Sequence, residues 1–173
     1  RGFDLPGAAQ MIFSDLGTIS VEKSRGFSAY RWIRGELVRR GVPASEIAFM
    51  QDYKKAEAKQ RLFADVRAGK VRFLIGSSDT MGTGVNAQLR LKALHHLDVP
   101  WLPSQIEQRE GRIVRQGNQH EEVDIFAYAT QGSLDATRIL RLVDDVAISF
   151  RLVDPVTGVF ADVPRDLIGV TDE

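Results

Sequence analysis

The sequence predicts a single α/β domain built on an open parallel sheet with helices on both faces. Short apolar runs alternate along the chain with segments whose apolar residues recur at helical spacing. Alternating strands and helices favour parallel pairing through right-handed crossovers, and such sheets are covered on both faces. A length of 173 residues fits one domain, which can bury a sizeable core without disulfides or metals.

The composition limits the classes of protein to consider. The 23 basic residues balance the 23 acidic ones, so the whole surface does not attract polyanions and any phosphate binding must be local. The chain has no cysteine and no apolar run of the roughly 18 residues that a membrane helix needs. We therefore expect a cytoplasmic protein without a membrane partner. Because the first residue is arginine and no leader is visible, we also expect a piece of a longer protein.

The first half of the chain alternates strand and helix. Predicted strands are the apolar runs at residues 9–14, 47–50 and 71–75. A first helix is predicted from Phe27, Tyr30, Ile33, Leu37 and Val38, and Gly41 ends it. A second helix is predicted at residues 54–68, with Leu62, Phe63 and Val66 on one side.

The second half continues the pattern. Strands are predicted at residues 91–97 and 123–129, and helices at 103–115 and 134–150. We assign residues 1–152 to the domain. Residues 153–173 mix turn residues with scattered apolar ones, which indicates an extension or a linker.

Ligands of open parallel sheets bind beyond the carboxyl ends of the strands. After the third strand comes GSSDTMGTGVN, residues 76–86, whose glycines and hydroxyls suit close approach to a phosphate or sugar. Many such loops are turns without a ligand, so this loop alone is a weak signal.

The segment QREGRIVRQGN, residues 108–118, places three arginines around a glycine. On a helix, Gln108, Arg112 and Arg115 fall within about 60° of arc, while Ile113 lies nearly opposite. Forked guanidinium donors suit a polyphosphate or a carboxylate. A glycine costs roughly 1 kcal/mol in a helix, and Gly111 gives a ligand clearance beside this face. A solvated cationic face is the equally good alternative from this segment alone.

Taken together, these segments resemble the second RecA-like domain of superfamily 2 helicases, nearest the Swi/Snf-type translocases. The stretches FLIGSSDTMGTGVNAQ, ALHHLDVPWLPSQIEQREGRIVRQGN and VDIFAYATQGSLDA are similar to the helicase part of large phage and plasmid proteins that join a helicase to an N6-adenine DNA methyltransferase. The resemblance covers about residues 3–148.

The resemblance implies roles for the matching positions. Gln108, Arg112 and Arg115 match the motif whose arginines contact the terminal phosphates of ATP, one as an arginine finger. Gly84 and Asn86 match the end of a nucleotide-contacting motif, although many relatives carry aspartate in place of Asn86. The positions that match nucleic-acid contacts are Ser14, Ser78 and Thr80, and such contacts hold the strand without reading its sequence.

Two ATPase signatures are absent from the sequence. It contains no G-x-x-x-x-G-K-[ST] and no D-E-x-H-like box, which hold the phosphates and Mg²⁺ in such enzymes. The resemblance therefore implies half of a two-domain motor. ATP, Mg²⁺ and DNA would be shared with an N-terminal RecA-like ATPase domain, and this chain alone would be inactive.

Three other interpretations remain open. Asp98 to Trp101, DVPW, is similar to the D-P-P-W box of adenine N6 methyltransferases, but Val99 replaces a proline and no Gly-rich cofactor loop follows the first strand. A non-catalytic DNA-binding or docking module with a helicase fold is the second alternative. A metal site at His95 and His96 is disfavoured, because neighbours in a strand point to opposite faces. For Trp32 and Trp101 we expect packing rather than base stacking.

Overall fold

A computed structural model describes residues 7–81, 87–100, 103–114, 116–128, 151–153 and 160–162. Five strands form one sheet in which every pairing is parallel. The strands are β1 (Ala9–Phe13), β2 (Ile47–Phe49), β3 (Phe73–Gly76), β4 (Leu91–His96) and β5 (Asp124–Ala127). Their order is β2-β3-β1-β4-β5. The predicted fold class is confirmed, and each strand lies close to its predicted bounds.

The strand order places a topological switch point between β1 and β4. After β1 the chain runs to β2 on one side of the sheet, and from β4 it continues to β5 on the other side. Parallel α/β sheets open a crevice at such a point, beyond the carboxyl ends of the strands. The loops after β1 and β4 therefore meet where a ligand site is expected.

The helices pack on the two faces of the sheet, to which successive side chains of each strand point in turn. The longer ones are α2 (Ala29–Arg39) and α3 (Ala56–Arg67), and the shorter ones are α1 (Glu22–Arg25), α4 (Ser78–Met81) and α5 (Pro103–Glu110). Met11 and Phe13 of β1 pack in one core cluster with Leu62 and Val66 of α3. Ile12, between them in sequence, packs in a second cluster that contains residues of α2. Opposite faces of the sheet are thus covered by different helices, because successive strand side chains point to opposite faces.

Three sequence-based expectations on these elements are wrong. The helix predicted at residues 103–115 ends at Glu110, because the amides of Arg112 and Ile113 bond three residues back, to Arg109 and Glu110, and these tighter turns replace the α-helix. The loop after β3 begins with the one-turn helix α4. Trp32, expected to pack, is 59% exposed, because it lies about 200° around α2 from the buried Tyr30.

Gly76 has a packing role that the sequence did not indicate. A β-carbon there would lie 2.7 Å from Cγ of Met81 and 3.0 Å from Cβ of Met50. The missing side chain therefore makes room for the fully buried Met81 of α4.

The remaining predictions concern the end of the chain. Strands β6 (Arg151–Val153) and β7 (Phe160–Asp162) form an antiparallel pair. The domain boundary predicted after residue 152 falls within β6, and the division into a domain and an extension stays a prediction. The helix predicted at residues 134–150 and Trp101 lie outside the described residues. Within the described ranges, no helix has the length and apolar character to cross a membrane.

Candidate functional site at the carboxyl edge of the sheet

Five polar residues meet at the switch point, and we refer to them as the Arg109 cluster. They are Ser14 and Asp15 after β1, Ser78 of α4, Asp98 after β4 and Arg109 of α5. These residues come from four separate stretches of sequence. The parallel sheet brings them together because the carboxyl ends of its strands share one edge.

Asp98 shapes the loop that follows β1. Its Oδ2 atom accepts hydrogen bonds from the Ser14 hydroxyl at 3.0 Å and from the amides of Asp15 at 2.6 Å and Leu16 at 2.9 Å. A carboxylate that accepts several amide donors holds a loop strongly, because bonds to a charged acceptor are stronger than neutral ones. Asp98 is 8% exposed, so these bonds are largely shielded from water.

Arg109 joins the loops after three strands. Its Nε donates to the Ser78 hydroxyl at 2.8 Å, its Nη1 to the Asp98 carbonyl at 2.9 Å, and its Nη2 to Oδ2 of Asp15 at 2.7 Å. The residue is 2% exposed, and its guanidinium carbon lies 5.0 Å from the centre of the Phe13 ring. A buried charge needs paired charges and hydrogen bonds to be tolerated. The carboxylates of Asp15 and Asp98 supply that compensation.

Ser78 is bound to Asp15 as well as to Arg109. Its amide donates to Oδ1 of Asp15 at 2.6 Å, and its hydroxyl donates to Oδ2 at 2.9 Å. The Ser78 hydroxyl thus accepts a hydrogen bond from Arg109 and donates one to Asp15. These two bonds use the single donor of the hydroxyl and one of its two acceptor positions. Residue 78 is therefore held by the loop after β1 and by α5 at the same time.

Tyr30 of α2 is a buried neighbour of the Arg109 cluster. Its hydroxyl donates to the Ser14 carbonyl at 2.8 Å. Burial raises the pKa of the Tyr30 phenol, and the negative charges of Asp15 and Asp98 raise it further. The phenol therefore stays protonated and keeps its donor at any physiological pH.

The two neighbouring histidines of β4 lie in different surroundings. His96 Nδ1 accepts from Nη1 of Arg109 at 3.3 Å, on the side of the cluster. His95 contacts Gln10 and Tyr128 instead, on the opposite face, as strand alternation predicts. Burial, with the nearby His96, lowers the pKa of His95 to about 4. In the described part of the chain no group of three or more His, Asp or Glu residues is arranged to hold a metal ion.

The residues predicted to contact nucleic acid are placed as follows. Ser14 is buried and its hydroxyl is bonded to Asp98, and it also accepts from the Gly17 amide at 3.2 Å. Thr80 is half-buried, and its hydroxyl accepts from the Ser77 amide at 2.9 Å. Ser78 belongs to the Arg109 cluster. The structure thus brings Ser14 and Ser78 into one network, and their contact with nucleic acid stays a prediction.

The residues predicted to contact ATP are only partly described. Gln108 is exposed on α5, and Arg112 is half-buried in the turn after it. Gly84, Asn86 and Arg115 lie outside the described residues. Ile113 is 1% exposed and packs in the α3-side core, although it lies in the turn after α5 and not on the helix predicted for it. This anchor fixes the position of the backbone beside Arg112.

Sequence reasoning missed the residue at the centre of the site. In the sequence Arg109 is one of three arginines in its segment. Because α5 ends at Glu110, before Ile113, helical spacing gave no signal that the Arg109 guanidinium points to the strand ends. Acidic residues just after two predicted strands, Asp15 and Asp98, were the available signal for its partners.

The fold and the site define a RecA-like domain, with a parallel sheet and an arginine-bearing helix after the switch-point strand. The chain belongs to the helicase conserved C-terminal domain family, whose model matches residues 20–117. That match covers more than half of the chain.

The chain is also similar to two named proteins. The chain is 30% identical over 141 residues to an uncharacterized ATP-dependent helicase, YqhH, of Bacillus subtilis, covering 79% of this chain and 23% of YqhH. It is 31% identical over 83 residues to the defense against restriction protein B of Escherichia phage P1, covering 48% of this chain and 4% of that protein. The chain thus spans less than a quarter of either relative.

A solved structure supports the fold. S. cerevisiae Dbp5 bound to RNA and ADP BeF3 matches with a TM-score of 0.57 and 19% identity, over 85% of this chain and 35% of that chain. At this identity the similarity concerns the fold.

Proposed function

We propose that this chain is the C-terminal motor domain of an ATP-dependent DNA helicase or translocase of superfamily 2, of the Swi/Snf-like type. Its membership of the helicase C-terminal family and its similarity to YqhH support the ATP-dependent class. The observation that carries the proposal is the Arg109 cluster, which links residues predicted to contact nucleic acid to the helix that leads into the predicted finger arginines.

On the ATP side, Arg112 and Arg115 would supply charge to the terminal phosphates, with Gln108, Gly84 and Asn86 near the nucleotide. An arginine finger stabilises the charge that develops as the γ-phosphoryl group is transferred. Gln108 lies in the last turn of α5, and Arg112 lies in the turn that follows it. ATP and Mg²⁺ would be held mainly by an N-terminal RecA-like domain, because this sequence lacks a phosphate-binding loop and an acidic Mg²⁺ box. The 173-residue chain alone would not hydrolyse ATP.

On the nucleic-acid side, Ser14, Ser78 and Thr80 would line the DNA track. The Ser14 hydroxyl is already used within the domain, so its contribution would come through the backbone of the loop after β1. The carboxylate of Asp15 would repel DNA phosphates, but Arg109 pairs with it. The Dbp5 structure, bound to RNA and to ADP BeF3, is consistent with a domain of this fold that serves both ligands.

We also propose that the intact protein acts together with an N6-adenine methyltransferase domain. The sequence resemblance described above carries this part of the proposal. The match to a phage protein named for defense against restriction supports a connection with DNA modification.

The proposal is tested by ATP hydrolysis in the intact protein, with and without duplex or single-stranded DNA. We expect Mg²⁺-dependent hydrolysis that DNA stimulates, and no hydrolysis by the 173-residue chain alone. DNA binding without any hydrolysis would instead show a non-catalytic docking module. Micromolar binding of S-adenosylmethionine by this chain, measured by calorimetry, would favour the methyltransferase alternative.

A further inference from the structure

We propose that Arg109 is a positioning residue that couples nucleic-acid contact at Ser78 to the placement of the finger arginine Arg112. This inference rests on the proposed function and goes further, because it names the residue through which the two sides of the site communicate. Arg109 touches neither ATP nor DNA in this arrangement, since it is 2% exposed.

Hydrogen bonds restrict the movement of Ser78 relative to Arg109. The Arg109 guanidinium bonds Ser78 at 2.8 Å and Asp15 at 2.7 Å, and Asp15 bonds Ser78 again through two further contacts. These three residues form a closed triangle of hydrogen bonds. A displacement of Ser78 by a bound strand must therefore move Arg109 or break a hydrogen bond of its buried guanidinium.

Arg109 in turn controls the turn that carries Arg112. The amide of Arg112 donates to the Arg109 carbonyl at 3.1 Å, so the backbone of residue 112 is built on that of residue 109. On its other side, Ile113 is fixed in the core. Arg112 thus sits between one fixed anchor and one anchor that is tied to the nucleic-acid side. A chain of packed side chains and hydrogen bonds of this kind can carry energetic coupling between two sites.

Arginine suits this position better than lysine. Each of the three nitrogen atoms of the planar guanidinium donates to a segment that follows a different strand. Nε donates to the Ser78 hydroxyl, Nη1 donates to the Asp98 carbonyl, and Nη2 donates to the Asp15 carboxylate. A lysine ammonium is a single point charge and cannot reproduce this fork. A lysine substitution therefore separates the geometry of the contact from its charge.

The test uses ATP hydrolysis by the intact protein, with and without saturating DNA. The variants are Arg109→Lys, Arg109→Met and the milder Asp15→Asn, which removes one of the two charge partners of Arg109 and leaves the guanidinium. Arg72→Lys is the matched control, because Arg72 pairs with Glu46 before β2 and β3, at the opposite edge of the sheet. Circular dichroism and thermal unfolding establish that each variant is folded.

We expect Asp15→Asn and Arg109→Lys to lower the DNA stimulation of kcat by about fivefold or more, within the usual range of coupling factors of about 5–150-fold. The KM for ATP should change by less than about threefold, below the range of coupling factors, because neither residue 15 nor residue 109 is predicted to contact ATP. Arg72→Lys should match the wild type in every measurement.

Two failures are distinguishable. If the wild-type protein shows no DNA-stimulated hydrolysis, both the proposed function and this inference are overturned. If the wild type is stimulated and folded Asp15→Asn and Arg109→Lys keep the full stimulation, only the role of Arg109 is overturned. Should Arg109→Met fail to fold, Asp15→Asn still decides, because it retains the buried guanidinium and its bonds to Ser78 and Asp98.

Discussion

The guanidinium of Arg109 lies 2.7 Å from the carboxylate of Asp15, although 94 residues separate them in sequence. The contact joins the end of the central strand β1 to helix α5. The buried guanidinium of Arg109 lies beside residues predicted to contact DNA. In sequence, Arg109 comes directly before the turn that carries Arg112.

Replacing Arg112 by alanine should lower DNA-stimulated ATP turnover by about a hundredfold or more, near the lower edge of what an arginine finger supplies. Arg115→Ala should have a comparable effect. Fold and DNA affinity should be largely kept, because the anchor at Ile113 is untouched. The measurement is steady-state hydrolysis in the intact protein, and Arg39→Ala, at an exposed ion pair with Glu36, is the control. Near-wild-type turnover in both variants would remove the finger assignment.

Gly111→Ala separates folding from nucleotide clearance. The added β-carbon would lie 3.1 Å from the Glu107 carbonyl and meets little else, so the free energy of unfolding should change by no more than about 1 kcal/mol. If the glycine gives clearance to ATP, the KM for ATP should rise in the intact protein. Urea unfolding and steady-state kinetics test the two effects separately. An unchanged KM would show that the glycine serves only the end of α5.

Ile113→Ala should destabilise the domain by roughly 2–5 kcal/mol, the cost of truncating a buried aliphatic side chain. The neighbouring Val114→Ala is the matched control, because Val114 is 62% exposed and should change stability by at most about 0.5 kcal/mol. Chemical denaturation of both variants measures the difference. Equal effects would mean that the turn after α5 is not anchored by Ile113.

His95 should make stability depend on pH below neutrality. The folded-state pKa is lowered to about 4, chiefly by burial, against an ordinary value of about 6.5. The unfolded chain therefore binds the proton first, so the stabilising contribution is complete above about pH 6.5 and is lost as the pH falls toward 4. The loss should reach up to about 3 kcal/mol. Protonation would also remove the acceptor at Nδ1 that faces the Tyr128 hydroxyl.

The pH prediction is measured by urea unfolding at pH 7 and pH 5. The difference between wild type and His95→Gln isolates His95 from carboxylates that titrate in the same range. The variant should lose less stability on acidification than the wild type. Parallel pH profiles for the two proteins would contradict the assignment.

Much of the fold follows from local pattern. Apolar runs and helical periodicity placed the five sheet strands and the two longer helices, because side-chain burial on a sheet or a helix face imposes these periods on the sequence. The helicase motifs could also be identified from the sequence, because the residues of each motif are close together along the chain. The family match at residues 20–117 agrees with them.

The arrangement of the Arg109 cluster depended on contacts between distant segments. Nothing local indicates that Asp98 binds the amides after β1, or that the hydroxyl of Ser14 is used within the domain. The end of α5 at Glu110 was equally hidden, because the burial of Ile113 and the tighter turns around Gly111 override the helical period. Periodicity reports which face of an element is buried. Which partners meet there is set by the strand order, which brings the carboxyl ends of β1, β3 and β4 to one edge.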